Sequence, residues 1–112
     1  MIDFGDIVLT RFPFTDLGGS KVRPALVVSR DNARRADFVL AFITSKTGAA
    51  HPDALEIMPD GANGLKVASM VRFDKLATLE KRIVSGKLGS VNSAFLAAAK
   101  PVFLGVFGFG SS

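Results

Sequence analysis

The sequence predicts a mainly β protein, a small and strongly bent sheet or barrel followed by one C-terminal α-helix. Three observations lead there. Apolar runs are short and rich in β-branched and aromatic residues, as strands are. Clusters of Gly, Pro, Asp, Asn and Ser separate them, and the 11 glycines are spread along the chain rather than gathered in a linker. Only the segment after Ser90 places apolar residues at helical spacing.

Asp6 to Phe12 (DIVLTRF) reads as the first strand, and Pro13 to Lys21 (PFTDLGGSK) as a loop. Pro24 to Ser29 (PALVVS) and Phe38 to Ile43 (FVLAFI) are continuous apolar runs, expected for strands covered on both faces. Thr44 to Pro52 forms a second loop, Leu55 to Met58 a short strand, and Pro59 to Gly64 (PDGANG) a turn-rich link. Lys66 to Asp74, Leu76 to Leu79 and Ile83 to Lys87 follow as further short strands. Ser90 is the expected helix N-cap. From there Val91, Phe95, Ala98 or Ala99, Val102 and Val106 share one side, while Pro101 is expected to end or kink the helix near Lys100.

The chain has 112 residues, a single domain by length, with 48% apolar residues, enough for a core. Its net charge of +4 and pI near 9.9 suit a polyanionic partner and equally serve solubility. With no cysteine, disulfides, thiolate metal sites and a Cys nucleophile are excluded, and a reducing cytoplasm is the compatible location. The N-terminus, Met1 to Asp6, lacks the basic-then-apolar pattern of a signal peptide. The most apolar stretch, Phe95 to Phe109, contains Lys100 and Pro101 and falls short of the ~20 residues a membrane span requires.

Three segments carry polar chemistry. In Ser69 to Asp74 (SMVRFD), strand alternation puts Val71 and Phe73 on one face and Arg72 and Asp74 on the other, a cation and a carboxylate roughly 6.5–7 Å apart along the strand. They form either an ordinary surface ion pair or a site. Arg23 is held extended by Pro24 beside the Gly-Gly-Ser-Lys loop; it is either a solvated turn residue or a guanidinium placed to bind phosphate through two parallel hydrogen bonds. Thr44-Ser45-Lys46 brings two hydroxyls and an ammonium to the end of a buried strand, where hydroxyls end strands or bond phosphate. Phosphate-loop and dinucleotide-binding glycine motifs are absent, and the carboxylates do not cluster as in a two-metal nuclease. The single histidine, His51, reads as a solvated loop residue without a partner. The ten phenylalanines read mostly as core, with Phe12 and Phe14 placed to stack on a base.

Taken in order, these segments resemble the PemK/MazF toxin family from about Phe4 to Leu104. Gly5-Asp6-Ile7-Val8-Leu9 with Phe12-Pro13-Phe14-Thr15 is similar to the family's first strand and loop, and Arg23-Pro24-Ala25-Leu26-Val27-Val28-Ser29 resembles its most recognisable motif. Phe42-Ile43-Thr44-Ser45 resembles the end of its third strand, and the stretch from Leu65 to Lys75 the strand that carries catalytic groups. Leu79-Glu80-Lys81-Arg82-Ile83 and Gly86-Lys87-Leu88-Gly89 resemble its closing strands.

The resemblance implies an SH3-like β-barrel with a C-terminal helix, a homodimer in the cytoplasm with no membrane partner. It also implies the toxin of a type II toxin–antitoxin system, cutting single-stranded RNA (messenger RNA above all) without metal or cofactor. A cognate PemI/MazE-like antitoxin would silence it by filling the cleft and give the complex its DNA-binding function. By position Arg23, Thr44, Arg72 and Asp74 take the catalytic places, with Ser20, Lys21, Ser45, Lys46 and Lys75 contacting RNA. Some members rely on the Arg-x-Asp pair and others on the first Arg with the Thr; this chain has both. His51 matches no position of the family, and the chain lacks the loop histidine that some members carry near the first strand.

The chemistry expected is attack by the ribose 2′-hydroxyl on the adjacent phosphorus, leaving a 2′,3′-cyclic phosphate and a 5′-hydroxyl. Asp74 is the candidate base, Arg23 and Arg72 would stabilise the phosphorane, and Thr44 and Ser45 would bond a non-bridging oxygen. Two other readings share the fold. Toxins that poison DNA gyrase carry a Trp near the C-terminus, and this chain has none. A non-catalytic interaction module would use the apolar tail, with Phe103, Phe107 and Phe109, as its contact surface.

Overall fold

The computed structural model describes residues 1–11, 22–45, 48 and 50–110. The whole of the expected first loop, Pro13 to Lys21, with Phe14, Ser20 and Lys21, lies outside the described residues, as do Phe12 and Lys46. Among the described residues six strands form one antiparallel sheet: β1 (Asp6–Thr10), β2 (Arg23–Val27), β3 (Asp37–Ser45), β4 (Ala54–Ile57), β5 (Ser69–Glu80) and β6 (Gly86–Ser90). Their order is β4-β5-β3-β2-β1-β6, and the sheet curls into a half-barrel with one helix, α1 (Ser93–Val106), after it.

Alternation along the strands sorts the apolar side chains into two clusters, one per face. Ile7, Leu26, Ala41, Ile43, Val71 and Phe73 form the first, and α1 covers it with Ala99, Phe95, Val102, Phe103 and Val106. Val8, Ala25, Val27, Phe38, Leu40 and Phe42 form the second. Runs such as ALV in β2 and FVLAFI in β3 are continuous because both faces are covered. The Phe73 and Phe103 rings meet edge to face at 6.0 Å, and Phe107 stacks against Phe103 at 5.2 Å. Of the apolar tail, Phe103 thus packs inward, while Phe107 is 47% exposed and Phe109 77% exposed.

Four expectations are corrected. The stretches read as separate strands around Asp74 are one continuous strand, β5, which starts at Ser69 and leaves Lys66 outside it. β3 is long enough to pair with both halves, and its pairing overrides the local break. The register slips between Ala41, opposite Leu76, and Phe42, opposite Arg72, so that Phe73, Asp74 and Lys75 form a bulge on β5. Ile83 belongs to a short 3-10 turn, Lys81–Ile83, rather than to a strand. The helix is capped by Asn92, whose side-chain oxygen accepts the Phe95 N–H at 2.8 Å; Ser90 stays in β6 and donates its hydroxyl to Asp6. Pro101 sits inside α1 without ending it, because the helix is docked on the sheet by the residues on either side.

Candidate functional site

The polar residues singled out in the sequence fall into two groups on neighbouring strands. The first surrounds the ends of β2 and β3. Arg23, Thr44 and Ser45 line a pocket of about 340 Å³ together with Ser69 at the start of β5 and the segment Gly64 to Val67. That segment is held by Asn63, which is 1% exposed. Its Oδ1 accepts the N–H groups of Asp60 and Leu65, and its Nδ2 donates to the Met58 carbonyl at 2.9 Å. The same loop packs so tightly on β6 that a Cβ on Gly89 would overlap the Ala62 carbonyl. The loop thus brings Lys66 to the pocket, a cation that the sequence pattern assigned to a strand.

Arg23 faces Thr10 across the β1–β2 ladder, and its guanidinium carbon lies 5.9 Å from the centre of the Phe42 ring. A cation over an aromatic face is held without losing its capacity to donate. Phe42 stands opposite Ala25 on one side and Arg72 on the other. Alternation therefore puts Arg23, Phe42, Thr44 and Arg72 on one face of the sheet. Two ladders separate Arg72 from β2, a backbone distance of roughly 10 Å. Arg23 and Arg72 share a face but not a pocket.

The second group centres on the β5 bulge. Arg72 grips Asp74 with both arms, Nε to Oδ1 at 2.9 Å and Nη2 to Oδ2 at 2.8 Å. Their side chains are 21% and 24% exposed. The bidentate bond from Arg72 holds the Asp74 carboxyl below the usual carboxylate range, and the same bond pushes the Arg72 guanidinium further up. The expected side-by-side placement is therefore a two-point lock. It leaves Asp74 a weaker base than a free carboxylate, and directs it to orienting Arg72. Lys75 is exposed on the same bulge.

A residue read as a solvated loop histidine completes the group. His51 Nε2 lies 3.2 Å from Arg72 Nη2 and 4.0 Å from Asp74 Oδ2. The turn that carries it is closed by the Ala54 N–H to the His51 carbonyl, and Asp53 accepts the Phe73 N–H at 2.9 Å. β4 then pairs Ala54 with Arg72, so the residues just before it come to lie beside the ion pair. No local pattern announces that register. His51, Asp53 and Asp74 each bring one ligand atom within 4.8 Å of the others. Both Asp74 oxygens already accept from Arg72, and a cation held by the trio would sit beside that guanidinium.

Comparison with known proteins places this geometry. Residues 3–103 match the sequence model of the PemK-like, MazF-like toxins of type II toxin–antitoxin systems. No curated protein matches the chain by sequence. Among solved structures, an endoribonuclease from a mycobacterial species in complex with its cognate antitoxin is similar with a TM-score of 0.79 at 24% identity, over 100% of both chains. The Mycobacterium tuberculosis toxin MazF-mt6 gives 0.75 at 19% identity, covering 91% of this chain and 95% of its own. MazF from Deinococcus radiodurans gives 0.74 at 22% identity over 96% of each. Among the described residues no helix is long and apolar enough to cross a membrane.

Proposed function

The chain belongs to the family of PemK-like, MazF-like toxins of type II toxin–antitoxin systems, and from that premise we propose that it is a metal-independent endoribonuclease acting on single-stranded RNA, chiefly messenger RNA. The observation that carries the proposal is the shared sheet face of Arg23, Thr44 and Arg72, with Arg72 locked by Asp74. RNA supplies its own nucleophile, the 2′-hydroxyl. The protein has to hold the phosphodiester, balance the charge that builds on phosphorus and move protons.

Arg72, oriented by Asp74, donates to the non-bridging oxygens and stabilises the phosphorane. Arg23 and Thr44 hold a phosphate oxygen about two strands away, with Ser45, Lys66 and Lys75 guiding the polyanion. Ser20, Lys21 and Lys46 take the same part. The products are a 2′,3′-cyclic phosphate and a 5′-hydroxyl. A homodimer is the working form, silenced by a cognate antitoxin that covers this face; one of the similar solved structures is an endoribonuclease bound to its cognate antitoxin, and this partner is carried over by likeness.

Incubation with a mixed-sequence RNA, followed by mapping of new 5′-hydroxyl ends, tests the reading. Cleavage is expected to persist in EDTA, to spare DNA, which has no 2′-hydroxyl, and to fall by about 10²-fold or more in Arg72→Ala and in Arg23→Ala. Full activity in both arginine variants, or a requirement for Mg²⁺, rejects it.

A further inference from the structure

His51 sits in a hydrogen-bonding conflict that a merely structural histidine would avoid. Its Nδ1 accepts the backbone N–H of Asp53 at 3.1 Å, and its Nε2 lies 3.2 Å from Nη2 of Arg72. Backbone N–H and guanidinium groups only donate. A neutral imidazole has one accepting nitrogen and one donating nitrogen, so neither tautomer satisfies both contacts, and the imidazolium satisfies neither. A ring that only propped its loop would settle into contacts it could meet. This one is pressed against the Arg72–Asp74 pair by a turn tied to β5 through Asp53 and Phe73. With its side chain 34% exposed, it is open to a substrate.

Among the described residues, the charged groups that face the ring are Arg72 and Asp74 on β5 and Asp53 on its own turn. The bidentate bond from Arg72 holds the Asp74 carboxyl below the usual carboxylate range and leaves it the weaker proton acceptor.

We propose that His51 is the proton acceptor of the cleavage reaction, its Nε2 taking the proton of the ribose 2′-hydroxyl; this rests on the endoribonuclease reading. In the tautomer protonated on Nδ1, which forgoes the Asp53 contact, Nε2 accepts from Arg72; an arriving phosphodiester draws the Arg72 N–H groups toward its non-bridging oxygens, and the Nε2 lone pair is released. The 2′-oxygen bonds to phosphorus as its proton passes to Nε2. The bond from phosphorus to the 5′-oxygen breaks, and that oxygen takes a proton from water. The imidazolium then neutralises the hydroxide and returns to its neutral form. No proton is consumed overall, as a transesterification requires.

The test is the rate of cleavage of a fluorogenic single-stranded RNA, from about pH 5 to about pH 9, for the wild type, His51→Ala, His51→Gln and His51→Gly. Expected are a wild-type kcat that falls on the acidic side, a loss of about 10²–10⁴-fold in kcat for the Ala and Gln variants with KM little changed, and partial rescue of His51→Gly by added imidazole. Binding of a 2′-deoxy analogue and thermal midpoints should match the wild type. His51 variants as fast as the wild type overturn the inference. So do slow variants combined with a flat wild-type profile and no rescue by imidazole. A folded wild type that cleaves no RNA overturns the endoribonuclease reading first, and the role of His51 with it.

Discussion

The Arg72–Asp74 lock sets both the charge and the acid sensitivity of the site. Because the Asp74 carboxyl is lowered in the folded chain by its bond to Arg72, folding is favoured by this group when it is ionised. The stabilisation is complete above the unfolded value of ~3.9 and disappears as pH falls through the still lower folded value. Thermal melts of the wild type and Asp74→Asn should therefore differ at neutral pH and converge as pH falls below ~3.9. A gap that persists unchanged into strong acid would contradict the assignment. Arg72→Lys should behave almost as badly as Arg72→Ala in cleavage, since an ammonium cannot span two carboxylate oxygens and present a planar fork to phosphate. Of this pair, identity and common face were legible in the alternation of SMVRFD. Its partner His51 was not, because the contact spans 21 positions and depends on β4 lying beside β5.

Among the elements, the bulge of β5, the Asn63 loop and α1 show how local rules were kept or overridden. The bulge leaves Phe73, Asp74 and Lys75 without β3 partners, bending the strand where its polar pair emerges. The PDGANG segment was legible as a turn, but the work of Asn63 was not: its buried amide ties down the loop that walls the Arg23 pocket. Asn63→Ala should cost about 1–3 kcal/mol in denaturant unfolding, the desolvation cost of backbone groups left without a partner. Its effect on cleavage should exceed that of an equally destabilising core change. Pro101 is exposed and lacks the N–H that the helix would use at that position. Pro101→Ala should accordingly raise unfolding stability by about 1–3 kcal/mol, read as a shift in denaturant midpoint at constant m.

At the scale of the whole molecule, one aromatic contact couples the helix to the strand that carries the site. Phe73 is 1% exposed, lies within the bulge and meets Phe103 of α1 edge to face. Its neighbours on either side along β5 are Arg72 and Asp74, so packing of the core fixes the backbone from which the ion pair projects. Phe73→Ala should cost about 3–5 kcal/mol of stability. Phe103→Leu, which keeps most of the apolar volume on the helix side, should cost less and leave the arginine–carboxylate geometry in place. Equal losses from both would show that the contact does not anchor β5 in particular.

By itself the sequence determined the class of fold, most strands, the docked face of the helix and, through five ordered motifs, the family. Those are consequences of local pattern: alternation decides which face a side chain takes, and composition decides where the chain turns. Tertiary structure alone decided that β5 is one bulged strand, that Arg23 and Arg72 share a face without sharing a pocket, and that Lys66 and His51 join the two groups. The physical reason is that strand register and loop docking are set by pairing between distant segments, which settles what each side chain stands next to and leaves no mark in the local pattern.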